Sequence, residues 1–331
     1  MNKGQLVGVG AITITSILWG TTGTAATFAP EAGPLAIGAA ALGIGGLLQA
    51  AIAIPALRTE RGALYARMWT IVIGSVAVAI YPLAFYSSMH FAGVAIGSVV
   101  SLASAPLASG VLERVVDQRQ LSGWWMLAAG LGIIGSVLLC LSKIGDRTFD
   151  PTATMLGIVL GLVAGTTYAI YSWVAHRLMM QGVSRAASMG AVFGGGGLLL
   201  MPVLLITGAP LVASSEGFLV ASYMALLPMF LGYLLFGFGL TRVSASTATT
   251  VTLTEPAVAT VLAVAIVGER LEMLGWAGLG IIVVVLLILG FAPTNLSVLS
   301  DSAPVKTASS KAQRPASGVV VETSGRVRAN E

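Results

Sequence analysis

Charge is what this sequence has least of. Lys, Arg, Asp and Glu make up only 9% of its 331 residues, against 56% hydrophobic residues and a mean hydropathy of +0.93. Soluble domains carry about 25% charged residues, because polar groups must cover their surface. A chain this poor in charge cannot cover a globular surface, which excludes a soluble fold. The sequence predicts an all-α integral membrane protein that crosses the bilayer several times.

Cysteine and histidine are nearly absent. Cys140 alone cannot form an intrachain disulfide or a thiolate metal cluster, and we interpret it as a small apolar residue. His90 and His176 lie at opposite ends of different apolar runs, which argues against a histidine zinc site. No Gly-x-x-x-x-Gly-Lys-Ser/Thr run occurs, so the chain does not hydrolyse ATP through a P-loop. We predict no cofactor, no enzymatic activity and, because the net charge of +4 is scattered over loops, no nucleic-acid partner.

Ten apolar runs are each long enough to cross a bilayer, which takes about 20 residues as a helix. They lie at 5–27, 34–57, 66–88, 92–112, 122–142, 154–176, 186–207, 217–240, 245–267 and 273–291. A cleaved signal peptide in the first run is rejected, because its Gly-Thr-Thr signature recurs in the sixth run. In the sixth run, Gly157, Gly161 and Gly165 are spaced four apart and predict a close-packing helix face.

Basic residues are distributed unevenly over the short loops. With the N-terminus in the cytoplasm, the inner side receives Lys3, Arg58, Arg61, Arg67, Arg114, Arg119, Arg177, Arg185 and Arg242, and the outer side receives Lys143, Arg147 and Arg270. This asymmetry predicts that both termini are cytoplasmic, in a multi-pass protein of the plasma (inner) membrane. Residues 292–331 are polar and contain no aromatic residue, and we predict a disordered cytoplasmic tail there.

The chain contains an internal repeat. LASAPLASGVLERVVDQRQL (102–121) aligns with TLTEPAVATVLAVAIVGERL (252–271) without a gap, and WGTTGTAATF (19–28) pairs with AGTTYAIYSW (164–173). Each half holds five runs, an odd number, so the second half enters the membrane from the opposite side. We therefore predict two inverted five-helix repeats, 1–143 and 153–291, joined by a loop at 144–152. This is a secondary-transporter architecture.

Several of these motifs resemble one known family. TLTEPAVATVLAVAIVGERLEMLGWAGLGIIVVVLLIL is similar to the second repeat of the EamA-type transporters of the drug/metabolite transporter superfamily, which has Glu-Pro near the start of a span and Gly-Glu-Arg at its end. LWGTT in the first run and TRVSASTA at 241–248 resemble other segments of that family. The resemblance covers about residues 5–291 and implies a ten-helix exporter or exchanger of small metabolites. The first repeat departs from the pattern, with Ala105 where the second has Glu255.

Glu255 is the acidic residue that stands out. Acidic residues in the loops lie beside Arg, and we interpret them as solvated pairs, whereas Glu255 has no Lys, Arg or His within ten residues. An acid at bilayer depth costs about 2.5–3.5 kcal/mol on insertion scales, unless it faces water, pairs or takes up a proton. One interpretation is a pathway residue that carries protons or contacts the amine of a substrate. The other is a structural role, in which the carboxyl bonds backbone or hydroxyl groups beside the proline.

Pro106 and Pro256 occupy corresponding positions of the two halves. Each removes a helical hydrogen bond, from the carbonyls of Leu102 and Thr252, and predicts a kink with an unwound turn. Broken helices in corresponding positions point to a transporter's binding site. The predicted substrate pathway consists of hydroxyl and aromatic residues and the acid: Trp19, Thr21, Thr22, Tyr81, Tyr86, Ser101, Ser104, Thr166, Tyr168, Tyr233, Thr250, Thr254 and Glu255. Helix packing by small polar residues and ordinary core aromatics would give a similar pattern.

The sequence therefore predicts a secondary transporter that exports small organic metabolites, amino acid-like or drug-like, by alternating access. Its expected partners are a small-molecule substrate, membrane lipid and, through Glu255, protons. An uncoupled facilitator or exchanger is the alternative within the same class, although the lack of basic residues in mid-span argues against anionic cargo. A lipid-modifying membrane enzyme or an assembly subunit would explain the composition but not the inverted repeat.

Overall fold

The computed structural model describes residues 3–92, 94–118, 120–141, 150–262 and 273–291, and regular structure within these ranges is helical. The main helices are α1 (Lys3–Gly20, followed by a short helix Thr22–Ala26), α2 (Pro34–Thr59), α3 (Met68–Ala92), α4 (Val94–Val115), α5 (Gly123–Leu141), α6 (Pro151–Met180), α7 (Arg185–Thr207), α8 (Ser215–Leu240), α9a (Ala245–Val251), α9b (Thr254–Leu262) and α10 (Met273–Phe291). Short helices Arg61–Tyr65 and Ala209–Ala213 lie in two of the connections. The predicted tail at 292–331 and the predicted loop up to residue 149 lie outside the described residues.

Within the described ranges, six helices are long and apolar enough to cross a membrane: α1 with its extension, α2, α3, α6, α7 and α8. Shorter apolar segments lie in α5 and α10, at Gly123–Leu138 and Met273–Leu289. The prediction of an all-α membrane protein is confirmed. The count of ten spans, the inversion of the two halves and the side on which the termini lie stay predictions.

The glycines of α6 pack as their spacing predicted. Gly157 lies against the end of α3, and Gly165 lies against the backbone and hydroxyls of α4. At Gly161, an added Cβ atom would stand 3.0 Å from the Ser88 hydroxyl oxygen of α3. Ser88 in turn donates a hydrogen bond of 2.7 Å to the Gly157 carbonyl. The close-packing face is confirmed, and it brings α6 of the second half against α3 and α4 of the first.

The ninth predicted span is interrupted inside the bundle. α9a ends at Val251, Thr252 and Leu253 form a turn, and α9b begins at Thr254. The Thr252 carbonyl, which loses its usual donor because Pro256 has no N–H, accepts instead from the Glu255 N–H at 2.9 Å. The structure therefore places an unwound turn directly ahead of Glu255. In the first half, by contrast, α4 continues as a helix through Pro106.

Candidate substrate site

Aromatic rings from five helices fill the centre of the bundle. Tyr168, Tyr171, Phe193, Tyr233 and Phe236 are among the largest fully buried side chains of the described residues. The Phe193 and Tyr233 ring centroids lie 4.4 Å apart, and those of Tyr168 and Tyr171 lie 5.3 Å apart. Tilted and edge-to-face pairs at such distances are the favoured aromatic geometries. These rings therefore form a rigid aromatic cluster at the centre of the bundle.

The tyrosine hydroxyls of this aromatic cluster form hydrogen bonds with one another and with the interrupted span. Tyr171 and Tyr233 share a hydrogen bond of 2.7 Å between their hydroxyl oxygens. Tyr168 donates to the Thr252 hydroxyl at 2.9 Å, which fixes the unwound turn ahead of Glu255 against α6. Buried hydroxyls that are paired in this way hold their rings in one orientation.

Trp19 of α1 crosses to α8, where the helix widens into a π-helical segment, Ala225–Leu231. The indole Nε1 donates to the Pro228 carbonyl at 2.9 Å, and the ring lies 4.8 Å from that of Tyr233. Gln49 of α2 donates from Nε2 to the Phe230 carbonyl of the same π-helical segment at 2.8 Å. A second π-helical segment, Ala39–Ile44, lies in α2. Such segments change the helix register and frequently occur at functional sites.

A small cavity lies among these elements, and the Glu255 side chain is part of its wall. Six of the predicted pathway residues line it: Trp19, Thr22, Tyr81, Tyr86, Tyr233 and Glu255. Sequence reasoning missed the other lining residues: Ala41, Leu42, Pro82, Phe85 and Met229. The missed residues are apolar, and three of them come from the π-helical segments, whose irregular register no periodicity in the sequence indicates.

Glu255 is buried in the cavity wall among aromatic and apolar side chains. It is 7% exposed, and its Oε2 atom has no hydrogen-bond partner among the described residues. Among the described residues, no Lys, Arg or His lines the cavity. A buried carboxyl with no basic neighbour among the described residues either holds a proton or needs a cation from outside the chain. The faces of the surrounding Trp and Tyr rings also attract cations. The arrangement suits a positively charged or protonated amine.

The cavity has a volume of about 10 Å³, close to what one water molecule requires. Binding pockets for small organic ligands commonly measure about 300–1,000 Å³. The structure thus has this cavity in a closed conformation. A solute larger than a water molecule does not fit beside Glu255 in this structure.

The other predicted pathway residues do not line the cavity. Thr21 bonds Tyr223 of α8, with 2.7 Å between the two hydroxyl oxygens. Tyr168 bonds the Thr252 hydroxyl in the unwound turn ahead of Glu255. The hydroxyls of Ser101, Ser104 and Thr250 donate to carbonyls of their own helices, and that of Thr254 donates across the unwound turn to the Val251 carbonyl of α9a. Thr166 is exposed on the outer face of α6, whereas its neighbour Thr167 is buried.

Two acidic residues depart from the prediction that such residues form solvated pairs with adjacent Arg. Glu113 near the end of α4 is only 4% exposed, and it accepts hydrogen bonds from the Ser246 N–H and hydroxyl at 2.8 Å each. Asp117 pairs with Arg177 of α6, sixty positions along the chain. The physical reason is that α4 ends against α6 and α9a, which supply donors that the local sequence does not show.

Comparison with known proteins agrees with these features. The EamA-like transporter family model matches the chain twice, over residues 6–141 and 155–291. The uncharacterized transporter YwfM of Bacillus subtilis (strain 168) is 33% identical over 287 residues, which cover 85% of this chain and 93% of that protein. The uncharacterized inner membrane transporter YedA of Escherichia coli (strain K12) is 27% identical over 197 residues, which cover 58% of this chain and 61% of that protein.

A solved crystal structure shares the fold, with a TM-score of 0.66 at 19% identity over 84% of this chain and 94% of that one. Both matches of the family model include helices that line the cavity, α1 to α3 in the first and α8 and α9b in the second. The resemblance seen in the sequence motifs is thereby confirmed. This chain belongs to the EamA-like transporter family and is a membrane transporter.

Proposed function

We propose that this transporter exports small organic metabolites, amino acid-like or drug-like, that present an amine to Glu255. The observation that carries the proposal is the buried carboxyl of Glu255, unpartnered among the described residues, in a wall of Trp19, Tyr81, Tyr86 and Tyr233. The carboxyl supplies the charge that an amine requires, and the ring faces add cation–π attraction. An anionic solute would instead meet a carboxyl, and no basic side chain among the described residues lines the wall.

The proposed architecture is ten membrane-spanning helices in two inverted repeats of five, 1–143 and 153–291, in the plasma membrane with both termini in the cytoplasm. The double match of the family model supports the repeat. The nine-to-three distribution of basic loop residues supports the orientation. Inverted halves exchange conformations, which turns an inward-open site into an outward-open one. The tight cavity then corresponds to a closed conformation in this cycle.

In the proposed cycle, Glu255 binds either a proton or the amine. The closed cavity excludes bulk water and leaves the carboxyl without a hydrogen bond from the described residues, so an ionised Glu255 is costly there. Protonation of Glu255 or binding of the amine removes that cost. The helices move between the inward-open and outward-open states only after one of these two events. Outward movement of the amine is thereby coupled to inward movement of protons.

The test uses purified protein in sealed liposomes with a pH-sensitive dye inside and a panel of amino acids and small aromatic cations outside. We expect substrate-dependent proton movement for the wild type. Glu255→Gln should abolish flux driven by a pH gradient, because the amide cannot carry a proton. It should leave the exchange of labelled substrate intact, because the amide oxygen and the surrounding ring faces can still bind an amine. Glu216→Gln, at an exposed carboxyl in the first turn of α8, is the matched control and should behave as the wild type.

Other outcomes would change the proposal. Equal loss of both kinds of flux in Glu255→Gln, or loss of neither, would remove the coupling role from this residue. Exchange of labelled substrate without proton movement in the wild type would identify an uncoupled exchanger, and Glu255 would then be a structural residue of the unwound turn.

A further inference from the structure

Three polar side chains follow one another along one face of α4 and its C-terminal end. Ser109, Glu113 and Asp117 are spaced four residues apart, which places them on successive turns of the same side of a helix. Ser109 is fully buried, Glu113 is 4% exposed, and the Asp117 side chain is 20% exposed. We call these three residues the α4 seam. It runs from the interior of the bundle to the surface.

Each member of the α4 seam bonds a residue of the second half. The hydroxyl oxygens of Ser109 and of Thr249 in α9a lie 3.2 Å apart, within hydrogen-bonding distance. One turn further, the Ser246 N–H and hydroxyl donate to the two carboxyl oxygens of Glu113 at 2.8 Å each. The seam therefore holds α9a, the segment that continues through the unwound turn to Glu255.

The outer end of the α4 seam is an ionic cluster with α6. Asp117 accepts a hydrogen bond from the Trp173 indole Nε1 at 2.7 Å and forms an ion pair with Arg177. The Arg177 guanidinium also lies over the Trp173 ring, 4.9 Å from its centroid. Both carboxyl oxygens of Asp117 are thus engaged by one turn of α6. Bonds between a charged acceptor and such donors are about twice as strong as neutral ones.

We propose that the α4 seam is the cytoplasmic gate of the transporter, shown here in its closed state. The proposal rests on the alternating access and the orientation proposed above, which place the ends of α4 and α6 and the start of α9a on the cytoplasmic side. The hydrogen bonds and the ion pair named above all join the first half to the second, so separation of the halves on this side must break them. Its partners are polar and can exchange hydrogen bonds with water once separated, which an apolar contact cannot do. Release of Ser246 and Thr249 frees α9a and opens a route toward Glu255.

The gate is tested by thiol accessibility in inside-out vesicles, with Cys140→Ala as the background. Ala105 is fully buried on the seam side of α4, one turn closer to the cavity than Ser109, so Ala105→Cys reports opening from the cytoplasmic side. We expect Asp117→Asn to raise the rate of labelling by a membrane-impermeant maleimide about tenfold, the factor that follows from losing one charge-assisted hydrogen bond. Trp173→Phe, which removes only the indole donor, should raise it by less.

Two variants serve as controls for this measurement. Asp150→Asn makes the same substitution at the other end of α6, where Asp150 caps its own helix by accepting from the Thr152 N–H at 2.9 Å. It should label as slowly as the parent. Exchange of the two charges, Asp117→Arg with Arg177→Asp, should slow labelling again to about the rate of Trp173→Phe. The ion pair re-forms with its charges reversed, while the Trp173 indole loses its acceptor.

Labelling does not depend on cargo, so its outcome is separable from the flux experiment on Glu255. The parent rate of labelling in both Asp117→Asn and Trp173→Phe would overturn the gate. So would rapid labelling in the charge-exchanged protein, which would show that the effect of Asp117→Asn was not loss of the pair. Slow labelling in that protein, together with rapid labelling in Asp117→Asn, supports it whether or not amines prove to be the substrate.

Discussion

The two proline-containing spans, α4 and α9, differ at the positions that matter for the site. They align with a shift of 150 residues, so Pro106 corresponds to Pro256. α4 nevertheless runs as one helix from Val94 to Val115, whereas the ninth span is interrupted at Thr252 and Leu253. A proline by itself therefore does not determine where the helix unwinds.

The difference lies in the residues ahead of the proline. Where α4 has Val99, Val100 and Leu102, the ninth span has threonines. The hydroxyls of Thr249, Thr250, Thr252 and Thr254 all donate to carbonyls three or four residues back, and this kind of bonding bends helices. Tyr168 then bonds the Thr252 hydroxyl from α6. The unwound turn is a joint product of proline, threonine hydroxyls and a tertiary contact.

The largest expected effect comes from replacing Pro256, and the same replacement at Pro106 is its control. Pro256→Ala would allow the N–H at 256 to bond the Thr252 carbonyl and draw α9a and α9b into one helix, which moves Glu255 within the wall. We expect substrate flux in liposomes to fall about tenfold, the result of roughly 1.4 kcal/mol. Pro106→Ala adds a bond to a helix that is already continuous and should leave flux within about twofold. Equal losses in the two variants would contradict the distinction drawn between the spans.

A smaller effect is expected at the hydroxyl that holds the turn. Tyr168→Phe keeps the ring but removes the bond to Thr252, and we expect a loss of about 1 kcal/mol in the free energy of unfolding, together with reduced flux. Tyr223→Phe removes a comparable bond to Thr21, between residues outside the cavity wall, and should cost stability without reducing flux. Melting temperature in detergent and flux in liposomes separate the two. If both variants lose flux equally, the bond to Thr252 has no special role in positioning the site.

Some of the cavity-lining residues are predictable from the sequence because their residue types stand out against an apolar background. Glu255, Trp19 and Tyr81 are conspicuous in membrane spans and do line the cavity. Thr166 was named although its neighbour Thr167 is the buried one. Adjacent helix residues point about 100° apart, and rotation cannot be fixed from hydropathy when both the lipid side and the protein side of a helix are apolar.

The contacts between the two halves were out of reach of the sequence for a different reason. Glu113 stands beside Arg114 in the chain, and that adjacency suggested a solvated pair. Its actual donors belong to Ser246, which only the packing of α4 on α9a brings near. Met229 was missed because the π-helical segment that aims it at the cavity interrupts the helical period.

The smallest expected effect concerns the end of α4, where the two copies differ again. Gln118 has a φ of 54°, in the left-handed region that favours glycine, and the aligned position of the second copy is Gly268. Left-handed backbone costs about 1–2 kcal/mol for residues with a Cβ atom, but Gln118 recovers part of it by donating from Nε2 to the Val115 carbonyl at 2.7 Å. We expect Gln118→Gly to raise the free energy of unfolding by about 0.5 kcal/mol. Gln118→Ala keeps the strain and loses the bond, so it should melt below the wild type. A glycine variant that melts below the wild type would show that the side-chain bond, and not the backbone conformation, decides the stability of this helix end.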